Sequence, residues 1–200
     1  MACNTMSAHS FDIVKKLLNV PVIEVIGAGA STAVAETRNK KLGIIGTSAT
    51  INSGVYQKAI NKLDNNIETY QRACPLFVPL VEEGLEWWKN DITLRIAQEY
   101  LTPLKQTGVD TLVLGCTHYP LLLDKIKKYV PSGITIISQG EYVATSLANY
   151  LHKHPEMEER CTKGGSCHFL TTEYADKFEK SASLFLEGEL KVTHTSIEDL

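Results

Sequence analysis

The chain has 200 residues, of which 44% are hydrophobic and 22% charged, and this composition is typical of a globular protein with a buried core. Lysine plus arginine number 20 against 23 acidic residues, and no basic cluster is interleaved with aromatic residues, which argues against a nucleic-acid partner. No apolar run approaches the roughly 20 residues of a membrane span, and the N-terminus lacks a secretory signal, so we expect a cytoplasmic protein with no membrane partner.

Near the start of the chain, Cys3, Asn4 and Thr5 precede a helical pattern with apolar residues on one face: Phe11, Val14, Leu17 and Leu18. Asn4 or Thr5 could cap this helix. A strand is expected before Cys3, but only Met1 and Ala2 are present there, so we expect the chain to lack an N-terminal segment. Further strands are predicted over 20–26 and 42–45.

The clearest unit lies between residues 91 and 130. A helical pattern up to Leu104 is followed by Gly108, then by the apolar run of a doubly covered strand over 109–114. Cys116 is therefore predicted in the turn at the carboxyl end of that strand. Pro120 suits the first turn of the next helix, with Leu122, Leu123, Ile126 and Val130 facing inward.

After this unit we predict a strand over 134–137, an exposed loop over 156–166 and a last helix over 175–186. Phe178, Ala182, Phe185 and Leu186 would face inward from that helix, and the residues after Gly188 are expected to fray. Strands that alternate with amphipathic helices indicate an α/β fold with a parallel sheet.

Cys3 and Cys116 both lie at predicted strand-to-helix junctions, where open α/β sheets gather their ligands. A helix N-terminus lowers a nearby thiol's pKa and also binds carboxylates. Two thiols on opposite sides of an amino acid's α-carbon could invert it, because inversion needs a base on one face and an acid on the other. Asn4, Thr5 and Thr117 are hydrogen-bond donors for the developing charge, and His118 could tune the Cys116 thiol.

A structural interpretation competes with this one. Cysteine usually packs as a small hydrophobic residue, and a histidine such as His118 is more often structural than catalytic. Cys74 lies in an apolar setting, and we assign it to the core. The matched pair of Cys3 and Cys116 favours chemistry over packing.

Five segments resemble the glutamate racemase family. They are ACNTMSA at 2–8, GTSATINSGVY at 46–56, CPLFVPLVEEG at 74–84, LVLGCTHYPLL at 112–122 and FLTT at 169–172. GCTHYP is the most specific of them. Members of this family are cofactor-independent isomerases that supply D-glutamate for peptidoglycan and the bacterial cell wall, and they are often homodimers.

The resemblance implies that Cys3 and Cys116 are the two proton donors and acceptors. It also implies a substrate-binding set made up of Asn4, Thr5, Thr117, His118, Thr50 and Glu82. The small-molecule substrate would be glutamate, because His118 usually differs in relatives that act on aspartate or hydantoins. No metal is implied.

The fold implied by the resemblance is a pair of similar doubly wound parallel-sheet domains with the site between them. Residues 28–138 would form the complete second domain, and 1–27 plus 139–200 an incomplete first domain. Ser138 stands where the family commonly has aspartate, and two of the family's substrate loops would lie before Met1. We therefore expect this 200-residue chain to be nearly inactive and its full-length parent to racemise glutamate.

Four alternatives stay open at this point. One is an aspartate or related amino-acid racemase, and another is a non-catalytic remnant. A third is a zinc module that uses ligand-type residues clustered in sequence, namely His152, His154, Cys161, Cys167 and His168, although their spacing is poor. The fourth is a thiol hydrolase using Cys116 and His118, for which the sequence offers no evident orienting partner.

Overall fold

A computed structural model of the chain describes residues 1–183, 185–186 and 190–199. The helices are α1 (Asn4–Leu17), α2 (Val25–Glu36), α3 (Ser48–Asn52), α4 (Val55–Leu63), α5 (Phe77–Glu82), α6 (Leu85–Lys89), α7 (Asp91–Lys105), α8 (Leu123–Tyr129), α9 (Gln139–Lys153), α10 (Pro155–Glu158) and α11 (Ala175–Ala182). The strands are β1 (Lys41–Gly46), β2 (Glu68–Ala73), β3 (Thr111–Gly115), β4 (Thr135–Ile137), β5 (Phe169–Thr171) and β6 (Val192–His194). Single 3₁₀ turns cover Tyr119–Leu122 and Ile197–Asp199.

The first four strands form one parallel sheet in the order β2-β1-β3-β4. Alternate residues of the two central strands enter different cores, as the two-residue period of a strand requires. Ile44 and Val113 pack with α2 and α4 on one face, whereas Ile45 and Leu114 pack with α5, α7 and α8 on the other. Helices on both faces of a parallel sheet confirm the predicted α/β class.

The strands that follow β1 in the chain lie on both sides of it in the sheet: β2 on one side, and β3 and β4 on the other. From β1 the chain passes through α4 on one face to β2, and from β2 it returns through α5 to α7 on the opposite face to β3. The connection after β3 runs through α8 on that second face. The connections that follow β1 and β3 therefore leave on opposite faces. This arrangement opens a crevice at the carboxyl ends of β1 and β3, which is where open α/β sheets bind ligands.

The predicted strands over 42–45, 109–114 and 134–137 are confirmed as β1, β3 and β4 within one or two residues. The predicted helix from residue 91 is confirmed as α7, and Gly108 after it has a φ of +73°. Pro120 lies in a 3₁₀ turn, and α8 begins only at Leu123. Leu122, Ile126 and Val130 are buried as predicted.

The strand predicted over 20–26 is wrong. Residues 20–24 form no strand, and helix α2 begins at Val25. The carboxylate of Glu24 caps this helix by accepting hydrogen bonds from the backbone N–H groups of Ile26 and Gly27 at 2.5 and 2.6 Å. A short apolar run does not by itself distinguish a buried strand from the start of a helix, and here the cap decides.

Two expectations about α1 are also wrong. The N-cap is Cys3 itself, and no side chain caps the helix, because Asn4 and Thr5 are already helical and bond elsewhere. Leu17 and Leu18, predicted on the apolar face, are 75% and 49% exposed. The buried positions of α1 are the polar residues Asn4 and Ser7.

The C-terminal region forms a small unit in which β5 and β6 pair in parallel and α11 contacts β6. The predicted helix over 175–186 ends at Ala182, and residue 184 lies outside the described residues. Phe185 stacks on Trp88 at 5.7 Å between ring centroids. Fraying is expected after Gly188. Residues 188, 189 and 200 lie outside the described residues, and Val192–His194 form strand β6. The loop predicted over 156–166 begins within the single turn of α10, and the residues after that turn are exposed.

Candidate active site

Cys116 lies at the crevice between β1 and β3. Gly46 and Gly115 end these strands as register partners, so Thr47 and Cys116 follow at the same level of the sheet edge. A Cβ atom on Gly115 would stand only 2.7 Å from the carbonyl oxygen of Ile45. The close approach of the two strand ends therefore requires glycine directly before Cys116.

Cys3 reaches this crevice from α1. Two residues after Cys3, the hydroxyl of Thr5 hydrogen-bonds to that of Thr47 at 2.8 Å and to that of Thr50 at 3.2 Å. The hydroxyls of Thr47 and Thr50 are 3.0 Å apart and complete a triangle. The N-terminus of α1, with Cys3 as its N-cap, is thereby fixed against the edge that carries Cys116.

Cys116 is only 7% exposed, and burial raises the pKa of its thiol to about 11. Hydrogen bonds from the backbone N–H groups of His118 and Tyr119 act in the opposite direction, while the negative charges of Cys3 and Glu82 raise the pKa further. The expectation that a helix N-terminus lowers this pKa is wrong for Cys116, because desolvation outweighs the backbone donors. The effect of Cys3 indicates that the two thiols lie within electrostatic range of each other.

His118 contacts both Cys116 and Glu82. Its Nδ1 lies 3.8 Å from Cys116 Sγ, and its Nε2 lies 3.4 Å from Glu82 Oε1. Of the two adjacent glutamates, Glu82 is the one that makes the ion-pair contact with His118. The sequence showed no orienting partner for a Cys116–His118 pair, but the structure provides one in Glu82.

Thr50 and Thr117 differ in their surroundings. Thr50 is 1% exposed and belongs to the hydroxyl triangle. Thr117 is exposed, and among the described residues its hydroxyl makes no hydrogen bond to another candidate side chain. It lines a shallow groove beside His118 and Phe185 instead.

Sequence reasoning missed three residues at the site. Thr47 completes the hydroxyl triangle, and Tyr56 and Gln139 form a buried hydrogen-bonded group with Asn4. Thr47 could have been found as a polar residue directly after a predicted strand. The contacts of Tyr56 and Gln139 join residues 52 and 135 positions from Asn4, so no local pattern signals them.

A cleft of about 480 Å³ adjoins His118. Glu82 and Glu83 line one side, and α11 lines the other through residues that include Lys177 and Phe178. Neither Cys3 nor Cys116 is among the described residues that line it. The cleft thus approaches the Cys116 side of the site from the direction of the C-terminal unit.

The three remaining cysteines differ in burial. Cys74 is fully buried in the core, as assigned from the sequence, and burial raises its pKa to about 12. Cys161 and Cys167 are exposed and free. Within residues 1–183, 185–186 and 190–199, no three His, Cys, Asp or Glu side chains are grouped to hold a metal ion. No helix in this part of the chain is long and apolar enough to cross a membrane.

Comparisons with known proteins identify relatives of the chain. A glutamate racemase from Sulfurihydrogenibium sp. is 40% identical over the whole chain, which covers 73% of that relative, and one from Geobacter metallireducens is 40% identical over 95% of the chain and 69% of its own length. A crystal structure of a Bacillus anthracis glutamate racemase isoform superposes with a TM-score of 0.88 at 34% identity, covering 98% of this chain and 72% of the other. A Francisella tularensis glutamate racemase in complex with D-glutamate superposes with a TM-score of 0.88 at 33% identity, covering 99% and 73%. The Asp/Glu/hydantoin racemase profile matches residues 1–147, and the chain belongs to that family.

Proposed function

We propose that the protein interconverts L- and D-glutamate without a cofactor, with Cys3 and Cys116 as the two groups that exchange the α-proton. The observation that carries this proposal is the hydrogen bond between Thr5 and Thr47, because it joins the segment of Cys3 to the strand-end crevice of Cys116. Relatives named glutamate racemase align over 95% or more of the chain, and a similar solved structure binds D-glutamate. D-glutamate is the family's contribution to peptidoglycan and the cell wall.

The chemistry needs one thiolate and one thiol at a time. The thiolate removes the α-proton from one face of glutamate, and the opposite thiol donates a proton to the other face, so the two sulfurs exchange protonation states in each turnover. The raised pKa of Cys116 favours its thiol form and suits it to donate the proton. A substrate ammonium group beside Cys116 would lower the pKa of this thiol and ease formation of its thiolate.

The developing carbanion is stabilised through the substrate carboxylate. The hydroxyls of Thr5, Thr47 and Thr50 already converge at the crevice, and a hydroxyl that turns from its neighbour in this triangle can donate a hydrogen bond to a carboxylate oxygen. Donors that are positioned in advance need little reorganisation when charge develops. Thr117 is exposed and would bind from the rim of the site, and Asn4 would contribute through its free amide proton.

His118 and Glu82 assist the Cys116 side. The contact of His118 Nδ1 with the Cys116 sulfur allows the imidazole to hold or move the thiol proton, and Glu82 orients the ring. The same three groups could serve a nucleophilic cysteine. Racemisation is favoured over hydrolysis because a hydrolase has no use for a second thiol held at the same crevice.

The proposal extends to the domains, the compartment and the assembly of the protein. Residues 28–138 form one domain and 1–27 plus 139–200 the other, so that each supplies one thiol. The protein acts in the cytoplasm, where thiols stay reduced, and all five cysteines are free. It assembles as a homodimer, an expectation from the family resemblance that sedimentation analysis tests.

The test uses proton NMR to measure the loss of the α-proton signal of L- and D-glutamate in heavy water. The protein is present in excess of an ordinary catalytic amount. We expect exchange with both enantiomers, and little with aspartate or hydantoin. No exchange above that of a Cys3→Ser/Cys116→Ser double variant would contradict the proposal.

A further inference from the structure

Three buried polar side chains from distant parts of the chain form a closed ring of hydrogen bonds. Asn4 donates through Nδ2 to Gln139 Oε1 at 2.8 Å, and Gln139 donates through Nε2 to Asn4 Oδ1 at 3.0 Å. The Tyr56 hydroxyl donates to Asn4 Oδ1 at 2.7 Å and accepts from Gln139 Nε2. Asn4, Gln139 and Tyr56 are 2%, 5% and 0% exposed, so each depends on the other two rather than on water.

The members of this ring are attached to the two segments that carry the thiols. Asn4 directly follows Cys3 in the chain. The aromatic side chain of Tyr56 packs beside Gly115, since a Cβ atom added to Gly115 would lie only 3.3 Å from Tyr56 Cε2. Gly115 directly precedes Cys116. The hydrogen-bonded ring therefore connects the backbone next to Cys3 with the backbone next to Cys116.

Gln139 holds the ring together. It is the first residue of α9, and both atoms of its carboxamide are used. A Cβ atom on Gly29 would stand 2.9 Å from Gln139 Nε2, so the carboxamide rests directly against the backbone of α2. A carboxylate at this position could accept from Asn4 but could not donate, and an aliphatic side chain could do neither.

We infer that Gln139 is a positioning residue for racemisation: through Asn4 and Tyr56 it fixes Cys3 relative to Cys116. This inference rests on the proposed function. Inversion requires both sulfurs to align with one carbon at the same moment, and a misplacement of about 1 Å can lower a rate about hundredfold. Thr5 attaches α1 to the turn after β1 through hydroxyls, and His9 adds an exposed contact with the Ala49 carbonyl at 3.3 Å. Gln139 supplies a buried attachment on a different element, and this attachment keeps α1 from pivoting about the others.

The first test measures glutamate racemisation by Gln139→Leu and Tyr56→Phe over a range of substrate concentrations, with enough protein to follow a slow reaction. We expect kcat for glutamate to fall about hundredfold in Gln139→Leu and about tenfold in Tyr56→Phe, with KM within about threefold of wild type. In the double variant the loss should equal that of Gln139→Leu alone, because both changes break the same ring. Tyr56→Phe keeps the shape of the side chain and decides the matter if Gln139→Leu does not fold.

The matched control is Thr111→Val. Thr111 is also fully buried and loses one hydrogen bond, to Asp110 at 3.0 Å, but it lies at the opposite end of β3 from Cys116. We expect it to lower stability without changing kcat. Equal losses of kcat in Thr111→Val and in the ring variants would show a merely structural effect and would overturn the inference.

The second test does not depend on activity. In a Cys161→Ser/Cys167→Ser background, a short bis-alkylating reagent should bridge Cys3 and Cys116, and mass spectrometry should find the bridge several-fold reduced by Gln139→Leu and by Tyr56→Phe. Unchanged kcat and unchanged bridging in both variants would overturn the inference. A chain that bridges normally but never exchanges the α-proton of glutamate would instead overturn the proposed function.

Discussion

Cys116 and Cys3 approach one crevice, but packing fixes the first and hydrogen bonds fix the second. Cys116 follows a fully buried strand, and the turn after it is anchored by Tyr119, which is 0% exposed and donates to the Cys74 carbonyl at 3.0 Å. Cys3 is exposed at a helix N-cap, and its position depends on the polar contacts of Asn4 and Thr5. The reaction uses the two thiols symmetrically, but packing positions one and hydrogen bonds position the other. Substitutions that disturb packing should therefore displace Cys116, and substitutions that remove hydrogen bonds should displace Cys3.

The largest expected effect comes from removing either sulfur. Cys3→Ser and Cys116→Ser should each lower glutamate racemisation by about 10²–10⁴-fold, because an alcohol is a far weaker acid than a thiol and replaces one of the two proton-transfer groups. Circular dichroism of the glutamate pool measures the rate. Cys161→Ser and Cys167→Ser are matched controls that remove exposed thiols elsewhere, and a comparable loss in them would contradict the assignment.

The next effect tests the packing that holds Cys116. Gly115→Ala places a Cβ atom 2.7 Å from the Ile45 carbonyl and 3.3 Å from the Tyr56 ring, so the strand ends must separate. We expect a loss of about 1–3 kcal/mol in the free energy of unfolding, measured with urea. Gly140→Ala is the control, since a Cβ atom there meets nothing within 4 Å. Equal stability of the two variants would show that the glycine pair is not required.

A smaller effect concerns the charge beside Cys116. The Cys116 pKa of about 11 means that its alkylation rate should rise with pH throughout the range up to that value. Because the Glu82 charge raises this pKa, Glu82→Gln should lower it and speed alkylation of Cys116 at neutral pH. Glu83→Gln is the control, because the His118 contact is made by Glu82. Residue-resolved mass spectrometry reports both thiols, and slower alkylation of Cys116 in Glu82→Gln would contradict the electrostatic account.

A substitution at the end of β3 opposite to Cys116 should affect the two thiols least. Partial burial raises the pKa of Asp110, but hydrogen bonds from Thr37, Arg38 and Asn39 lower it more, so the net pKa is below its usual value. The carboxylate therefore stabilises the fold above its unfolded pKa of about 3.9, and this contribution is lost as pH falls through the lower folded pKa. Asp110→Asn should remove at most about 1 kcal/mol at pH 7 and flatten the acid limb of the stability curve. Altered alkylation of Cys3 or Cys116 in this variant would show that the two ends of the strand are coupled.

The sequence revealed the Cys116 side of the site better than the Cys3 side. An unbroken apolar run and a helical period mark β3 and α7, because burial of whole faces leaves a periodic trace. The region of 20–26 was mistaken for a strand because its apolar run carries no period and the Glu24 cap decides the outcome. The ring of Asn4, Tyr56 and Gln139 could not be predicted, since it joins three elements that are remote in sequence. The raised pKa of Cys116 likewise reflects burial, which a strand-end motif does not specify.

The most direct test of the two-thiol mechanism is the location of deuterium during the first turnovers of L-glutamate in heavy water. Two groups on opposite faces predict that newly formed D-glutamate carries deuterium at the α-carbon while the remaining L-glutamate keeps its proton. Early and equal deuterium in both enantiomers, which is the outcome for a single shared base, would contradict the roles assigned to Cys3 and Cys116.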